Sequence, residues 1–217
     1  MEPKIAQKLN DFFTRFTFQW YQKGELLISA GQDPKGIFFL EQGIVRQYGL
    51  SKQGSEMTLN IYKPLSFFPM MSALNHIPNA YYFEAMTDNI QVRIAPKEKV
   101  IAFLHTQPEI LFDLLARVYK GVEGVFIHMQ ALLSGDAYSK LLSILLIATK
   151  RFGHEGDGGT KIELKLTEND LASYSGIQRE TVSRLLQKLF KNHLLAREGD
   201  CLVITNIDKL EAELQIK

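Results

Sequence analysis

The apolar positions of this chain change period along its length. Between residues 4 and 16, Ile5, Leu9, Phe12, Phe13 and Phe16 recur on one side of a helical repeat, which predicts a short amphipathic helix covering the end of a sheet. From Phe18 to about Pro96 the pattern shortens to ELLISAG, GIFFLEQG, IVRQYGLS, EMTLNIY, YYFEAMT and IQVRIA, separated by Gly, Pro, Asp and Ser. Such runs, spaced by roughly ten residues, predict the strands of a sandwich or barrel. Gly24, Gly31, Gly43 and Gly54 fall where the chain must turn. A short helix is expected over 96–108 and a long one over 109–134. In the long helix Leu111, Leu115, Val118, Val122, Val125, Met129 and Leu132 alternate spacings of four and three, the a/d seam of a helix that wants a partner. That partner is either its own domain or a second helix. Gly121 and Gly124 weaken this helix by about 1 kcal/mol each relative to Ala, and serve either a close approach of two chains or bending.

Ser134, Gly135 and Asp136 then break the helix, with Asp136 placed to cap the next one. Residues 137–152 place Leu141, Leu142, Leu145, Leu146 and Ala148 on a core side, and HEGDGGTKIELKL reads as a glycine-rich loop leading into a strand. Residues 166–196, LTENDLASYSGIQRETVSRLLQKLFKNHLLA, divide into a short helix, a turn and a longer helix. Thr167 and Asp170 have the spacing of a helix start. Ser175, Gly176 and Ile177 make the turn, since Gly tolerates left-handed backbone. Val182, Leu185, Leu186, Leu189 and Phe190 line one face of the second helix, while Glu180, Ser183, Arg184, Gln187 and Lys191 line the other. Gln178, Arg179 and Thr181 occupy its start. Arg can pair bidentately with guanine, a carboxylate can accept from cytosine, and Ser can reach base or phosphate. A helix-turn-helix whose second helix enters the major groove is implied. LLAREGDCLVITN follows as a hairpin with Glu198, Gly199 and Asp200 at its tip, a wing beside which Arg197 could touch a phosphate. NIDKLEAELQIK is a short terminal helix or frayed end.

RETVSR at 179–184, after an LTxxDLAxxxGI frame, resembles the recognition helix of the cyclic-AMP receptor protein/Fnr superfamily of bacterial transcription regulators. The order KGELLISAGQDPKGIFFLEQGIVRQY resembles the opening of the β-roll that precedes the helix-turn-helix in that superfamily. The resemblance implies an α+β fold: an N-terminal cyclic-nucleotide-binding-like β-roll (1–108), a long dimerisation helix (109–134) and a C-terminal winged helix-turn-helix (135–217). It implies a homodimer on double-stranded DNA. Residues matching Arg179, Glu180 and Arg184 would contact base edges, with Ser183 as in the Fnr branch, at half-sites that are TGTGA-like or TTGAT-like and share a GA core. The loop at 154–160 is similar in place to one that touches RNA polymerase in relatives, which makes the polymerase a further candidate partner.

Composition narrows the rest. The 217 residues, 46% apolar, allow a sizeable core in one or two domains, and the formal net charge is only +1. Within 166–197, five basic residues stand against three acidic ones, so DNA affinity would need two copies of this face. Cys201 alone excludes an intrachain disulfide and a four-cysteine iron-sulfur or zinc site; the sensor chemistry of Fnr is absent and no cofactor is expected. No G-x-S-x-G, G-x-x-x-x-G-K or H-E-x-x-H motif is present, so an enzyme is not expected. With no long apolar run and no signal-peptide core, a soluble cytoplasmic protein is expected, without a membrane partner.

The family's phosphate-binding cassette uses a Gly-Glu pair and then an Arg followed by Ser or Thr. Here Pro69 and Met70 fall near the first, Ala80, Tyr81 and Tyr82 near the second, and no arginine occurs between Arg46 and Arg93. A cyclic nucleotide would lack its charge partner. The adenine-contacting positions of the long helix match Val125 and Phe126. Phe67, Phe68, Met70, Met71, Tyr81, Tyr82, Val125 and Phe126 therefore either fill the old pocket as core or line a site for a hydrophobic effector. His76 lies where some relatives bind haem, though no second ligand is identifiable. The competing reading of the whole chain is a β-roll sensor for a hydrophobic ligand or haem acting through protein contacts.

Overall fold

The computed structural model describes residues 2–214, and the chain divides into two compact units, Met1–Val118 and Tyr119–Lys217. The first begins with α1 (Pro3–Phe13), whose Ile5, Leu9 and Phe13 are buried at helical spacing. Eight strands follow: β1 (Thr17–Tyr21), β2 (Leu26–Ile28), β3 (Ile37–Gln42), β4 (Val45–Leu50), β5 (Glu56–Tyr62), β6 (Phe67–Phe68), β7 (Tyr82–Ala85) and β8 (Ile90–Ala95). Helix α2 (Met70–Asn75) lies between β6 and β7, and α3 (Lys97–His105) and α4 (Pro108–Ser134) come after β8. The strands form two four-stranded antiparallel sheets in the orders β1-β8-β3-β6 and β2-β7-β4-β5. Gly24, Gly31, Gly43 and Gly54 all turn with positive φ.

Two-residue alternation explains how one strand serves two cores. Along β3, Ile37 and Phe39 join α1 and α3 in one apolar cluster, whereas Phe38 and Leu40 belong to a second cluster with β4, β7 and β8. The partner β6 repeats the division: Phe67, opposite Phe39, enters the first cluster, and Phe68, opposite Phe38, enters the second. Phe13 stacks on Phe39 with ring centroids 4.4 Å apart. Phe68 stacks on Phe83 at 5.1 Å and meets Tyr62 at 4.7 Å, closing the space between the sheets.

Within the first unit, α4 is tied to the β5–β6 turn by Arg117, whose Nη1 donates to the Leu65 carbonyl at 3.0 Å. Its Nε lies 2.9 Å from Asp113 Oδ2, an ion pair one helical turn apart. Burial pulls the Arg117 pKa down, against the pull of Asp113.

In the second unit α4 continues to Ser134 and α5 (Ala137–Phe152) starts at Asp136, whose carboxylate accepts from the Ser139 amide at 2.9 Å. Buried Leu141, Leu142, Leu145, Leu146 and Ala148 lie on α5 as expected. Gly124 of α4 passes close to Ile147, and His128 Nδ1 lies 3.0 Å from Ser143 Oγ. Of the stretch expected as a glycine-rich loop leading into a strand, the strand is found as β10 (Gly159–Ile162), whereas the first part of the loop is itself a strand, β9 (Gly153–Gly156), paired with β10 in a hairpin. Gly159 permits it: its φ is +121°, and a Cβ there would sit 2.2 Å from the Ile204 carbonyl oxygen. Then come α6 (Glu168–Ser175), α7 (Arg179–Lys191), β11 (Leu195–Glu198), β12 (Cys201–Ile204) and α8 (Ile207–Glu213). The four strands make one sheet in the order β11-β12-β10-β9, and the final residues of the expected tail helix, 215–217, lie outside the described residues. No helix among the described residues is long and apolar enough to cross a membrane.

Candidate nucleic-acid interface

Local chemistry fixes the geometry of α6 and α7. Thr167 Oγ1 accepts from the Asp170 amide at 3.2 Å while Asp170 Oδ2 accepts from the Thr167 amide at 2.8 Å, so two orphan donors of the first turn are satisfied reciprocally. Gly176 ends the helix at φ +68°, its amide donating to the Ala172 carbonyl at 2.9 Å. Gln178 is the extended residue before α7. Val182, Leu186 and Leu189 bury one face of α7, and Leu185 and Phe190 are half-buried beside them.

The opposite face is open. Gln178, Arg179, Glu180, Arg184 and Gln187 are exposed, and Thr181 and Ser183 are half-buried. Arg179, Glu180, Ser183, Arg184 and Gln187 line one shallow concavity together with Glu168 of α6. The sequence-predicted reading residues are thus brought together, apart from Gln178 and Thr181, which stand beside the concavity. Glu168 is the member that sequence reasoning missed: its Oε2 lies 3.2 Å from Arg179 Nε. At the wing, Glu198 pairs with Lys161 and Asp200 with Lys165, the latter at 2.7 Å. The Lys165 ammonium holds the Asp200 carboxyl below its usual range. The two acidic side chains at the tip are therefore neutralised by β10 and the segment after it. Arg197 is exposed beside them, its guanidinium over Phe190. Lys188, by contrast, turns onto the Tyr138 ring of α5, 4.4 Å from its centroid.

All seven a/d positions of α4 are exposed, from Val122 at 36% to Val125 at 56%, whereas Ile110, Ile127 and Ala131 on the other side are buried. Phe112, Tyr119, Phe126 and Leu133 are more exposed still, at 60% or above. Their seven-residue spacing, legible in the sequence, widens the seam into a three-position stripe.

The candidate effector residues of the first unit are divided between its two clusters and its surface. Phe67 and Phe68 are buried in two different clusters. Met70 packs on the first cluster, Met71 is exposed on α2, Tyr81 packs partly on the second cluster, and Tyr82 stacks on Tyr48 at 5.1 Å. Val125 and Phe126 are exposed on the second unit's part of α4. Arg46, the arginine preceding the cassette region, is already held by Glu84 at 2.9 Å and by Glu56. A cavity of about 360 Å³ opens in the first unit between the Gly31–Gly36 turn, α2 and Lys97, with Pro69 of the cassette-equivalent stretch in its wall. His76 lines it in left-handed backbone, with Lys97 Nζ 3.3 Å from its Nδ1. Among the described residues no group of three His, Cys, Asp or Glu side chains is placed to hold a metal ion.

Comparison with known proteins matches residues 18–107 to the cyclic nucleotide-binding domain and residues 139–213 to the Crp-like helix-turn-helix domain. The chain is 25% identical over 193 residues to the fumarate and nitrate reduction regulatory protein of Salmonella typhi, covering 88% of this chain and 76% of that one. It is 26% identical over 186 residues to the global nitrogen regulator of Synechocystis sp., covering 85% and 80%. A CooA mutant from Carboxydothermus hydrogenoformans shares the fold at a TM-score of 0.76 and 22% identity, over 94% of this chain and 90% of that one. FixK2 from Bradyrhizobium japonicum does so at 0.73 and 22%, over 91% and 96%.

Proposed function

Because this chain belongs to the Crp/Fnr superfamily of DNA-binding transcription regulators, we propose that it acts as a homodimer reading a pseudo-palindrome, without a cyclic nucleotide. The observation that carries this reading is the open face of α7, where Arg179, Glu180, Ser183 and Arg184 share one concavity at the start of the helix. Each would reach base edges of a half-site that is TGTGA-like or TTGAT-like, with Gln178 and Thr181 beside them. The exposed α4 stripe supports a second copy as partner, which would set the two half-sites about 34 Å apart, one helical turn. The filled space between the sheets and the committed Arg46 support independence from a cyclic nucleotide. On this reading 1–108 is an effector-type domain, 109–134 the dimerisation helix and 135–217 the DNA-binding domain, with the β9–β10 hairpin a surface for RNA polymerase.

Arg179→Ala and Arg184→Ala test the reading. Each should cost about 1–3 kcal/mol of discrimination at its own base pair, measured by anisotropy on single-base-substituted duplexes, with the dimer intact by sedimentation. Unchanged discrimination in both variants would favour a sensor that acts through protein contacts.

A further inference from the structure

Glu168 and Arg179 are the first residues of α6 and α7, and the turn between these helices brings the two starts together. The carboxylate meets the guanidinium at Nε, 3.2 Å away. An arginine has five N–H donors in a fixed fork, so engagement at Nε leaves the outer edge, Nη1 and Nη2, free for a bidentate contact with guanine O6 and N7. The Glu168 side chain is half as exposed as that of Arg179, 31% against 62%: the acid is seated and the base projects. Capping does not explain the acid, because Thr167 and Asp170 already complete the capping box. Nor does affinity, since a carboxylate in a concavity with two arginines faces the same phosphates they would attract.

We propose that Glu168 is a positioning and specificity-determining residue for base recognition. It holds the Arg179 guanidinium in its reading orientation before DNA arrives, so less side-chain freedom is lost on contact. It also sets a negative charge beside the backbone, which weakens binding to DNA of any sequence while leaving the directed arginine contact intact. Specificity is a difference of affinities, and a repulsive element raises it as surely as an attractive one. This inference rests on the DNA reading of α7 proposed above.

The test uses the full-length chain. Wild type first selects its site from a randomised duplex pool. Wild type, Glu168→Gln, Arg179→Ala and the double variant are then titrated by anisotropy against the selected duplex, its single-base variants and a scrambled duplex. Glu168→Gln should lower discrimination about tenfold at the base pair whose recognition Arg179→Ala removes, and leave the other pairs unchanged. Affinity for the scrambled duplex should rise, with a salt dependence steeper by about one unit. In the Arg179→Ala background, Glu168→Gln should alter no base-pair preference. Wild-type discrimination in Glu168→Gln, or a uniform loss at all pairs with a lowered thermal midpoint, would overturn the inference while leaving the DNA reading in place. Failure of wild type to select any site would overturn both.

Discussion

Phe68→Ala probes whether the space between the two sheets is core or pocket. Phe68 is fully buried, and its ring meets those of Phe83 at 5.1 Å, Tyr62 at 4.7 Å and Phe38 at 6.0 Å. Truncating a buried Phe costs about 3–5 kcal/mol. Aromatic pairs add about 0.5–1.5 kcal/mol beyond burial, which places this site toward the upper end. Against a total stability of about 5–15 kcal/mol, that is a large share. With a urea m-value of about 1–3 kcal/mol/M, the midpoint should fall by roughly 2 M. Near-ultraviolet circular dichroism reports on this unit, where the rings of Tyr62, Phe68 and Phe83 pack together. Met71→Ala, at a side chain 58% exposed, should shift stability by no more than about 0.5 kcal/mol. A Phe68→Ala loss below about 1 kcal/mol, well under the range for a close-packed site, would refute the filled interior and restore an effector pocket.

Three further outcomes follow from other parts of the chain. Burial, with Lys140 nearby, holds the His128 pKa below its ordinary value, so as pH falls through about 6.5 the unfolded chain takes up the proton first. Stability should be full above that pH and decline below it until the folded ring protonates; denaturant melts of wild type and His128→Asn between pH 5 and 8 should show the slope only in wild type. Gly159→Ala should cost about 1–3 kcal/mol from backbone strain alone, and more from the clash with the Ile204 carbonyl, whereas Gly176→Ala, with nothing within 4 Å, should cost about 1–2 kcal/mol; thermal melts compare the two. Gly121 meets no atom of its own chain within 4 Å, so Gly121→Ala should add up to about 1 kcal/mol of helix stability in thermal melts, while sedimentation of the same variant separates the two uses of the glycine: a weaker dimer places it at a close helix crossing, an unchanged dimer at a bend.

Much of this architecture was legible because its signals are local. The capping spacing of Thr167 and Asp170, the glycine at 176 and the apolar rhythm of α7 each have a short-range cause, and each lies where expected. The a/d seam of α4 was equally plain from its alternating spacing of four and three, and all seven of its positions are exposed. What escaped depends on tertiary pairing. Strand β1, TFQWY, has no clean alternation, and its place is fixed by β8. The two-residue β6 exists through its register with β3. The β9–β10 hairpin was hidden by its glycines, which serve the tight approach to β12 as well as turning. Glu168 could not be singled out from sequence, because its pairing with Arg179 depends on how the turn sets the two helix starts together.

The central claim, a dimer that recognises its operator without a cyclic nucleotide, is tested most directly by fluorescence anisotropy. Purified protein is titrated, with no effector added, into labelled TGTGA/TCACA and TTGAT/ATCAA palindromes and a scrambled duplex at about 150 mM salt, where non-specific binding is weak. The account predicts binding to one palindrome at least about a thousandfold tighter than to the scrambled duplex, unchanged on adding cyclic AMP. Equal, weak binding to all three, or tight binding that appears only with cyclic AMP, would contradict it.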